Sequence, residues 1–366
     1  MVKTDDWASA VLIAAVAALL GLGAIMIFST TARGDGPLVS VTFTKQLACI
    51  ALSVYCAVAL ARRDYRVILA RHRAILAVAA ALLLLVLVPG VGRRINGASR
   101  WLGAGPVSFQ PSEFAKLALV VFLAGFLSSR GERLTSFKAA FFPSIVVVGL
   151  VCALILFEPD IGTTFLVAAV AWIVLFVAGS RMIFLFGPML AAVPVLLVLV
   201  SEGYAKARID AWLNPLSDPS GSGYHIRQSL IAVGSGGLWG VGLGHSTQKL
   251  LFLPEASTDF IFAILAEELG LIGVTAVLVL YCLVICSGIM IARRAADVGG
   301  MLLAAGITSV IALQAAINVA VVTKVLPPKG IALPFISSGG SALLFMLMGV
   351  GLLYSVAHAS KPQASV

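Results

Sequence analysis

The sequence predicts an all-α, polytopic membrane protein: a helical bundle of about ten transmembrane helices with both termini cytoplasmic and a large extracytoplasmic loop between spans seven and eight. Three observations predict it. Apolar residues make up 60% of the 366-residue chain and charged residues only 11%, against about 25% charged in a soluble domain. The apolar residues fall into runs long enough to cross a hydrocarbon core. Short loops rich in Arg and Lys recur on one side of those runs, as cytoplasmic loops do.

Taken in order, the first run is 8–29. Its stretch from Ala8 to Phe28 is longer than the apolar core of a secretory signal, and no small-x-small cleavage site follows it cleanly, so it reads as a retained helix. Span two is 46–61, and the basic loop after it carries Arg62, Arg63, Arg66, Arg71 and Arg73. Span three, 74–89, leads to an outer loop at 90–111. Span four is 112–128, and Arg130, Arg133 and Lys138 follow it on the cytoplasmic side. Spans five and six, 139–157 and 161–179, are separated only by 158–160, and Arg181 precedes span seven at 183–200. The loop 201–258 is too long to be structureless. Y-A-K-A-R-I-D-A-W-L and Y-H-I-R-Q-S-L-I-A-V have helical apolar spacing and should form short interfacial helices around the turn N-P-L-S-D-P-S-G-S-G. Its Gly-rich S-G-G-L-W-G-V-G-L-G-H lacks the Lys-Ser/Thr of a phosphate-binding loop. Span eight, 259–292, is long enough to tilt or project beyond the lipid and ends at Arg293 and Arg294. Spans nine and ten, 299–322 and 341–358, flank the outer loop 323–340. One lipid-solvated bundle implies a single integral membrane domain over 1–366.

The net charge of +9 is that of cytoplasmic loops rather than of a nucleic-acid binder, since no soluble module exists to carry such a surface. Cys49, Cys56, Cys152, Cys282 and Cys286 all lie in apolar runs and have no metal-ligand spacing with His. The outer loops also hold cations, among them Arg93, Arg94, Arg100, Lys206, Arg208, Arg227, Lys249, Lys324 and Lys329, where topology disfavours them. An anionic ligand explains cations in that position.

Six polar segments stand out: N-G-A-S-R-W-L with Asn96, Arg100 and Trp101; Q-P-S-E-F-A-K with Gln110, Ser112, Glu113 and Lys116; E-P-D-I-G-T-T with Glu158, Asp160 and Thr163; L-P-E-A-S-T-D-F-I-F with Glu255, Thr258 and Asp259; A-E-E-L-G with Glu267 and Glu268; and P-P-K-G-I-A-L-P-F-I-S-S-G-G-S with Lys329, Ser337, Ser338 and Ser341. Each has a structural explanation. Glu113 and Lys116, three apart on a helix, can pair with each other. Asp160 and Asp259 lie near helix starts, where Asp caps. Trp101 can anchor at the interface, and P-F-I-S-S-G-G can be a turn. Glu267 and Glu268 are harder to explain so, because a charge within a span is costly. They are expected some two turns inward, with the other segments at the outer ends of helices. Together the segments describe an outward-facing polar pocket in which a carboxylate can act as general base on a hydroxyl and cations can hold a phosphate or pyrophosphate. A transporter for an anionic lipid would use similar groups.

These segments, with G-S-G-Y-H-I-R-Q-S-L-I-A-V-G-S-G-G leading to L-P-E-A-S-T-D-F-I-F-A-I-L-A-E-E-L-G, resemble the SEDS family of bacteria, with the motifs in order from about residue 8 to 358. The resemblance implies ten spans and a peptidoglycan glycosyltransferase of the bacterial cytoplasmic (inner) membrane. Such an enzyme polymerises lipid II at the outer face, with a glycan linked to undecaprenyl pyrophosphate as donor and the 4-hydroxyl of the incoming lipid II sugar as acceptor. It implies partnership with a class B penicillin-binding protein, the crosslinking transpeptidase, and with other division proteins. It matches the family's essential acid to Asp259, as general base, and other important positions to Arg100, Trp101, Glu113, Lys116 and Asp160. Lys329 and Ser337 complete the expected substrate-binding set. Family behaviour also implies dependence on a divalent cation, Mg or Mn, although no metal cluster is evident in the sequence. V-L-P-P-K-G-I-A-L-P-F and G-V-G-L-G-H-S-T-Q-K-L look more like the division branch than the elongation branch. Ser257 and Ser338 depart from the usual His before Thr-Asp and the usual Tyr before Gly-Gly. The competing readings are an elongation polymerase, a lipid II flippase, which needs a polar path to both faces, and a scaffold, which needs no buried carboxylates.

Overall fold

The computed structural model of the chain describes residues 7–31, 40–95, 98–103, 108–201, 203–216, 218, 221–250 and 252–359. Each predicted span is present. They are α1 (Trp7–Thr31), α2 (Val41–Ala61), α4 (His72–Leu87), α5 (Pro111–Ser128), α6 (Phe142–Phe157), α7 (Ile161–Val177), α8 (Met182–Ser201), α11 (Ile261–Arg293), α12 (Val298–Val322) and α13 (Gly340–Ala359). Seven helical segments are long and apolar enough to cross a bilayer by themselves, α6 among them once the π-helical turn Phe137–Phe141 is joined to it; α4, α7 and the Met182–Pro194 part of α8 are shorter and apolar. The short helices are α3 (Tyr65–Ala70) in the basic loop, and α9 (Gly203–Leu213) and α10 (Ser222–Ser235) in the long outer loop. The last two are the short helices that the spacing predicts.

The bundle is built around α5 and α12. Nearly every residue of α5 from Pro111 to Leu127 is buried, and α12 packs on it, on α7 and on α11. With no hydrophobic drive between helices in lipid, small residues let backbones approach. A Cβ at Gly351 of α13 would lie 2.3 Å from the Ala57 carbonyl oxygen of α2, so only glycine allows that contact. At the cytoplasmic end, the Tyr65 hydroxyl donates to Asp297 at 2.7 Å and Arg66 Nε donates to the same carboxylate at 2.9 Å. The Ser355 hydroxyl donates to the Arg63 carbonyl at 2.6 Å, so the basic loop is stitched to the start of α12 and the end of α13.

Two features differ from expectation. A two-stranded hairpin, β1 (Arg93–Ile95) paired antiparallel with β2 (Ala98–Trp101), folds the outer loop after α4. The eighth span is not one long tilted helix. Gly270 breaks it at φ +64°, dividing α11 into Ile261–Leu269 and the spanning 271–293. The reason lies in the Gly-rich segment before it. Val241 and Gly242 donate their N–H groups to the Glu267 and Glu268 carbonyls at 3.0 and 3.1 Å, and the Gly237 and Leu238 carbonyls accept from Leu271 and Ile272 at 2.9 and 3.3 Å. The loop replaces the intrahelical bonds lost at the break, which makes a broken helix tolerable at the membrane. A Cβ at Gly270 would meet the Gly240 nitrogen at 2.3 Å.

Candidate active site

Asp259 sits two residues before α11, half-buried. It does not cap. The N-cap position is Phe260 and carries no side-chain capping bond, and among the described residues no hydrogen bond or ion pair holds the Asp259 carboxylate. The backbone around it is fixed instead. Asn318 of α12 donates Nδ2 to the Asp259 carbonyl at 2.9 Å and to the Ile331 carbonyl at 2.7 Å. Ser337 donates to the Thr258 carbonyl at 2.6 Å while accepting from Leu333 N–H at 2.7 Å, and Ser338 N–H donates to the Ser257 carbonyl at 2.9 Å. The P-F-I-S-S-G-G segment is thus a brace that presents Asp259, with the Ser337 hydroxyl bonded to backbone on both sides.

Burial is the main cause that pushes the Asp259 carboxyl up to about 7. The charge of Glu255 adds to it, Arg208 opposes it, and Asp160 and Arg100 contribute smaller effects of either sign. Glu255 is exposed and accepts from the Thr258 hydroxyl at 2.7 Å. Asp160 caps α7, accepting from Thr163 N–H at 3.0 Å and from the Thr163 hydroxyl at 2.9 Å, which is the structural role its position suggested. Lys329 lies beside it. Its chain passes the Gly162 backbone and its ammonium stands 6.0 Å from the Phe165 ring. Burial lowers its affinity for the proton, Asp160 opposes, and Arg208 adds to the lowering.

Arg100 reaches across from β2 and donates Nε to the Glu158 carbonyl at 2.9 Å and Nη2 to the Pro159 carbonyl at 2.5 Å. Its fork grips the α6–α7 turn, and its charge still reaches Asp259 and Glu158. The Glu158 side chain is fully buried, with neither oxygen hydrogen-bonded, and burial, then Asp160, pushes its carboxyl up to about 8.

Glu113 and Lys116 form the pair that their spacing predicts, Nζ to Oε2 at 2.8 Å with both residues buried. Lys116 also donates to Gln314 Oε1 at 2.9 Å, and Gln314 donates to the Ala332 carbonyl at 2.9 Å. This pair supports the loop behind Asp259. Trp101 is paired in register with Arg93 across the hairpin. Asn96 lies outside the described residues.

Glu267 and Glu268 are not two turns inward. The Ser29 hydroxyl, in the last turn of α1, donates to Glu268 at 2.7 Å, and Lys249 pairs with Glu268 at 2.9 Å. Glu267 accepts from the Ser246 hydroxyl, and from Thr247 N–H and hydroxyl, each at 3.0 Å. The break at Gly270 places both carboxylates at the outer end of α1, where they lock H-S-T-Q-K to the half-helix Ile261–Leu269.

Four residues in or beneath the site carried little sequence signal. Arg208 of α9 donates to the Pro328 carbonyl at 3.1 Å and bears on both Asp259 and Lys329. His225 of α10 lies edge-on to Phe260 at 5.9 Å, its pKa lowered by burial and then by Arg208. Gln314 and Asn318 are polar residues of α12 one helical turn apart, the one available signal being amides in an otherwise apolar span. Among the described residues no three His, Cys, Asp or Glu side chains are grouped to hold a metal ion.

Residues 10–362 match the FtsW/RodA/SpoVE family, described as cell cycle protein. The chain is 42% identical over 347 residues to stage V sporulation protein E of Bacillus subtilis, covering 94% of this chain and 95% of that one. It is 41% identical over 360 residues to a probable peptidoglycan glycosyltransferase FtsW of Trichlorobacter lovleyi, covering 96% and 93%. Its fold matches, at a TM-score of 0.79 and 28% identity, a chain of a solved peptidoglycan synthase complex described as coordinating polymerization and crosslinking, covering 98% of this chain and 99% of that one.

Proposed function

Because the chain belongs to the FtsW/RodA/SpoVE family of cell cycle proteins, we propose that it is a peptidoglycan glycosyltransferase that polymerises lipid II at the outer face of the bacterial cytoplasmic (inner) membrane during cell division, with Asp259 as general base. The observation that carries the catalytic assignment is a half-buried carboxylate, pushed up to about 7, with no hydrogen-bond partner among the described residues and three cations within electrostatic reach of the site. A general base works best when its pKa lies near the working pH, where it is both ionised and basic. A carboxylate committed to a cap or an ion pair would be neither free nor basic enough.

The reaction is a single displacement with inversion. The acceptor sugar's 4-hydroxyl oxygen attacks the anomeric carbon of the lipid-linked donor, and Asp259 takes the proton as the new glycosidic bond forms. The bond from the anomeric carbon to the pyrophosphate oxygen breaks, and the electron pair leaves with undecaprenyl pyrophosphate. Cations stabilise that leaving group by facing charge as it develops. Lys329, beside Asp160, and Arg208 are the groups that this chain offers. Arg100 contributes charge but has its fork committed to the α6–α7 turn. Trp101, Glu113 and Lys116 serve the substrate site indirectly, the last two by holding the 329–333 loop through Gln314. Mg or Mn, if used, finds no all-protein cage among the described residues. A Mg ion bound chiefly through substrate phosphates needs only one or two carboxylates, and the exposed Glu255 would hold it while leaving Asp259 free as the base. The ion would supply charge neutralisation at the pyrophosphate.

Lys116, the one cation of α5, is neutralised by Glu113 and hydrogen-bonded to Gln314, which favours polymerisation over a polar transport path. A class B penicillin-binding protein is the proposed partner and the chain acts as one domain. The test is purified protein with fluorescent lipid II, with and without a candidate transpeptidase. A glycan ladder is expected; translocation of lipid II across vesicles without polymer would overturn the assignment.

A further inference from the structure

The half of α11 beyond the break, 271–293, is 23 residues long, about 35 Å at 1.5 Å per residue, and so spans a hydrocarbon core of about 30 Å by itself. Its cytoplasmic end is marked by Arg293 and Arg294. Leu271 therefore stands at the outer hydrocarbon boundary. The four backbone hydrogen bonds that join 237–242 to 267–272 hold the Gly-rich segment at that same depth.

That segment is unusually apolar for an extracytoplasmic loop. From Gly234 to Gly244 it carries no charged residue. Leu238 is 63% exposed, Trp239 81% and Leu243 50%. They continue the exposed face formed by Leu271 and Ile272 at the first turn of the spanning helix. Positive φ angles at Gly240, Gly242 and Gly244, +79°, +99° and +83°, fold the segment on itself and fix it against the helix break. Among the described residues Leu238, Trp239 and Leu243 are left half or more exposed; they lie level with the headgroups and include the residue type most enriched there.

We propose that Leu238–Leu243 is a membrane wedge that seats Leu238, Trp239 and Leu243 in the outer leaflet at the headgroup–acyl boundary. The bilayer is the occupant because the patch is continuous with the lipid-facing surface of 271–293 and carries no charge for a polar partner to meet. The wedge anchors the half-helix Ile261–Leu269 to the membrane through the two backbone bonds that Val241 and Gly242 donate to the Glu267 and Glu268 carbonyls.

The test compares the wild-type protein with Trp239→Phe in vesicles of phosphatidylcholine, either plain or brominated in the acyl chain near the headgroup. The difference between the two proteins' emission isolates Trp239. Its contribution is expected to fall by roughly half or more in brominated lipid and to resist aqueous iodide. Quenching by iodide without quenching by brominated lipid would place Trp239 in water and overturn the proposal. Protection from both would place it under protein and overturn it equally. A nitroxide at Leu243→Cys, in a cysteine-free background, provides the second measurement. Collisions with oxygen should exceed collisions with a water-soluble nickel chelate, and the reverse order would refute the wedge.

Discussion

Replacing Asp259 by Asn should stabilise the folded protein, and the gain should grow with pH. The carboxyl is raised from 3.8 to about 7 by burial and by Glu255. Each pH unit between those two values is worth about 1.4 kcal/mol, so keeping the group ionised in the folded state costs about 4 kcal/mol. The site is half-buried, so solvent screening reduces this to about 2–3 kcal/mol. The sign follows from linkage. The folded value lies above the unfolded value, so the penalty is absent below pH 3.8. It grows between the two values as the unfolded chain ionises first, and is complete above about 7. Asn keeps the shape and removes the charge. At pH 8 the full gain of about 2–3 kcal/mol should be seen, and at pH 5 about a third of it. Glu158 and His225 also titrate from shifted values, but they do so in both proteins and drop out of the difference. The assay is thermal unfolding of both purified proteins in nanodiscs at the two pH values. A variant less stable than wild type at pH 8, or a gain that does not change with pH, would refute the reasoning, because it would mean that partners hold the carboxylate ionised.

Glu113→Gln and Lys116→Met should each cost about 3–5 kcal/mol by leaving a buried charge unpaired, with the double variant losing less than the sum; strictly additive losses of thermal stability would argue against coupling. Gly270→Ala should yield little or no folded protein, because φ is +64° and the Cβ would meet the Gly240 nitrogen at 2.3 Å; a monodisperse peak at wild-type yield in detergent would mean that the helix is not broken there. In a cysteine-free background, Leu216→Cys should react with an impermeant reagent from outside intact cells and Ser129→Cys should not; labelling of both would contradict the ten-span topology.

The spans were legible because lipid imposes a length and a composition that apolar runs display directly, and the ten spanning helices follow those runs within a few residues in most cases. Glu113 and Lys116 were legible for a similar reason: their pairing is local, three residues apart on one helix. The break at Gly270 was not, since E-E-L-G-L-I-G-V-T-A-V continues the apolar pattern across it, and the cause lies in hydrogen bonds from a loop some 30 residues earlier. With the break hidden, Glu267 and Glu268 were placed too deep. For Asp259 the position near a helix start suggested a cap, whereas the orientation that leaves it free depends on Asn318 and Ser337, which the sequence does not link to it. Arg208 reaches the site because α9 is tied to the loop after α12, where Arg208 and Trp212 donate to the Pro328 and Lys324 carbonyls, and His225 because α10 packs on α11. For Arg100, charge suggested a grip on phosphate, and only the fold shows its fork closed on the carbonyls of Glu158 and Pro159.

The most direct test of Asp259 as the base is the rate of lipid II polymerisation as a function of pH, for wild type and Asp259→Asn together. In the wild type, kcat/KM should rise about tenfold per pH unit below a break near 7 and then level off, as expected for a base that must be ionised. Asp259→Asn should be inserted, stable and without polymerising activity at every pH. Near-normal polymerisation by the Asn variant, or a wild-type profile flat through this range, would contradict the account.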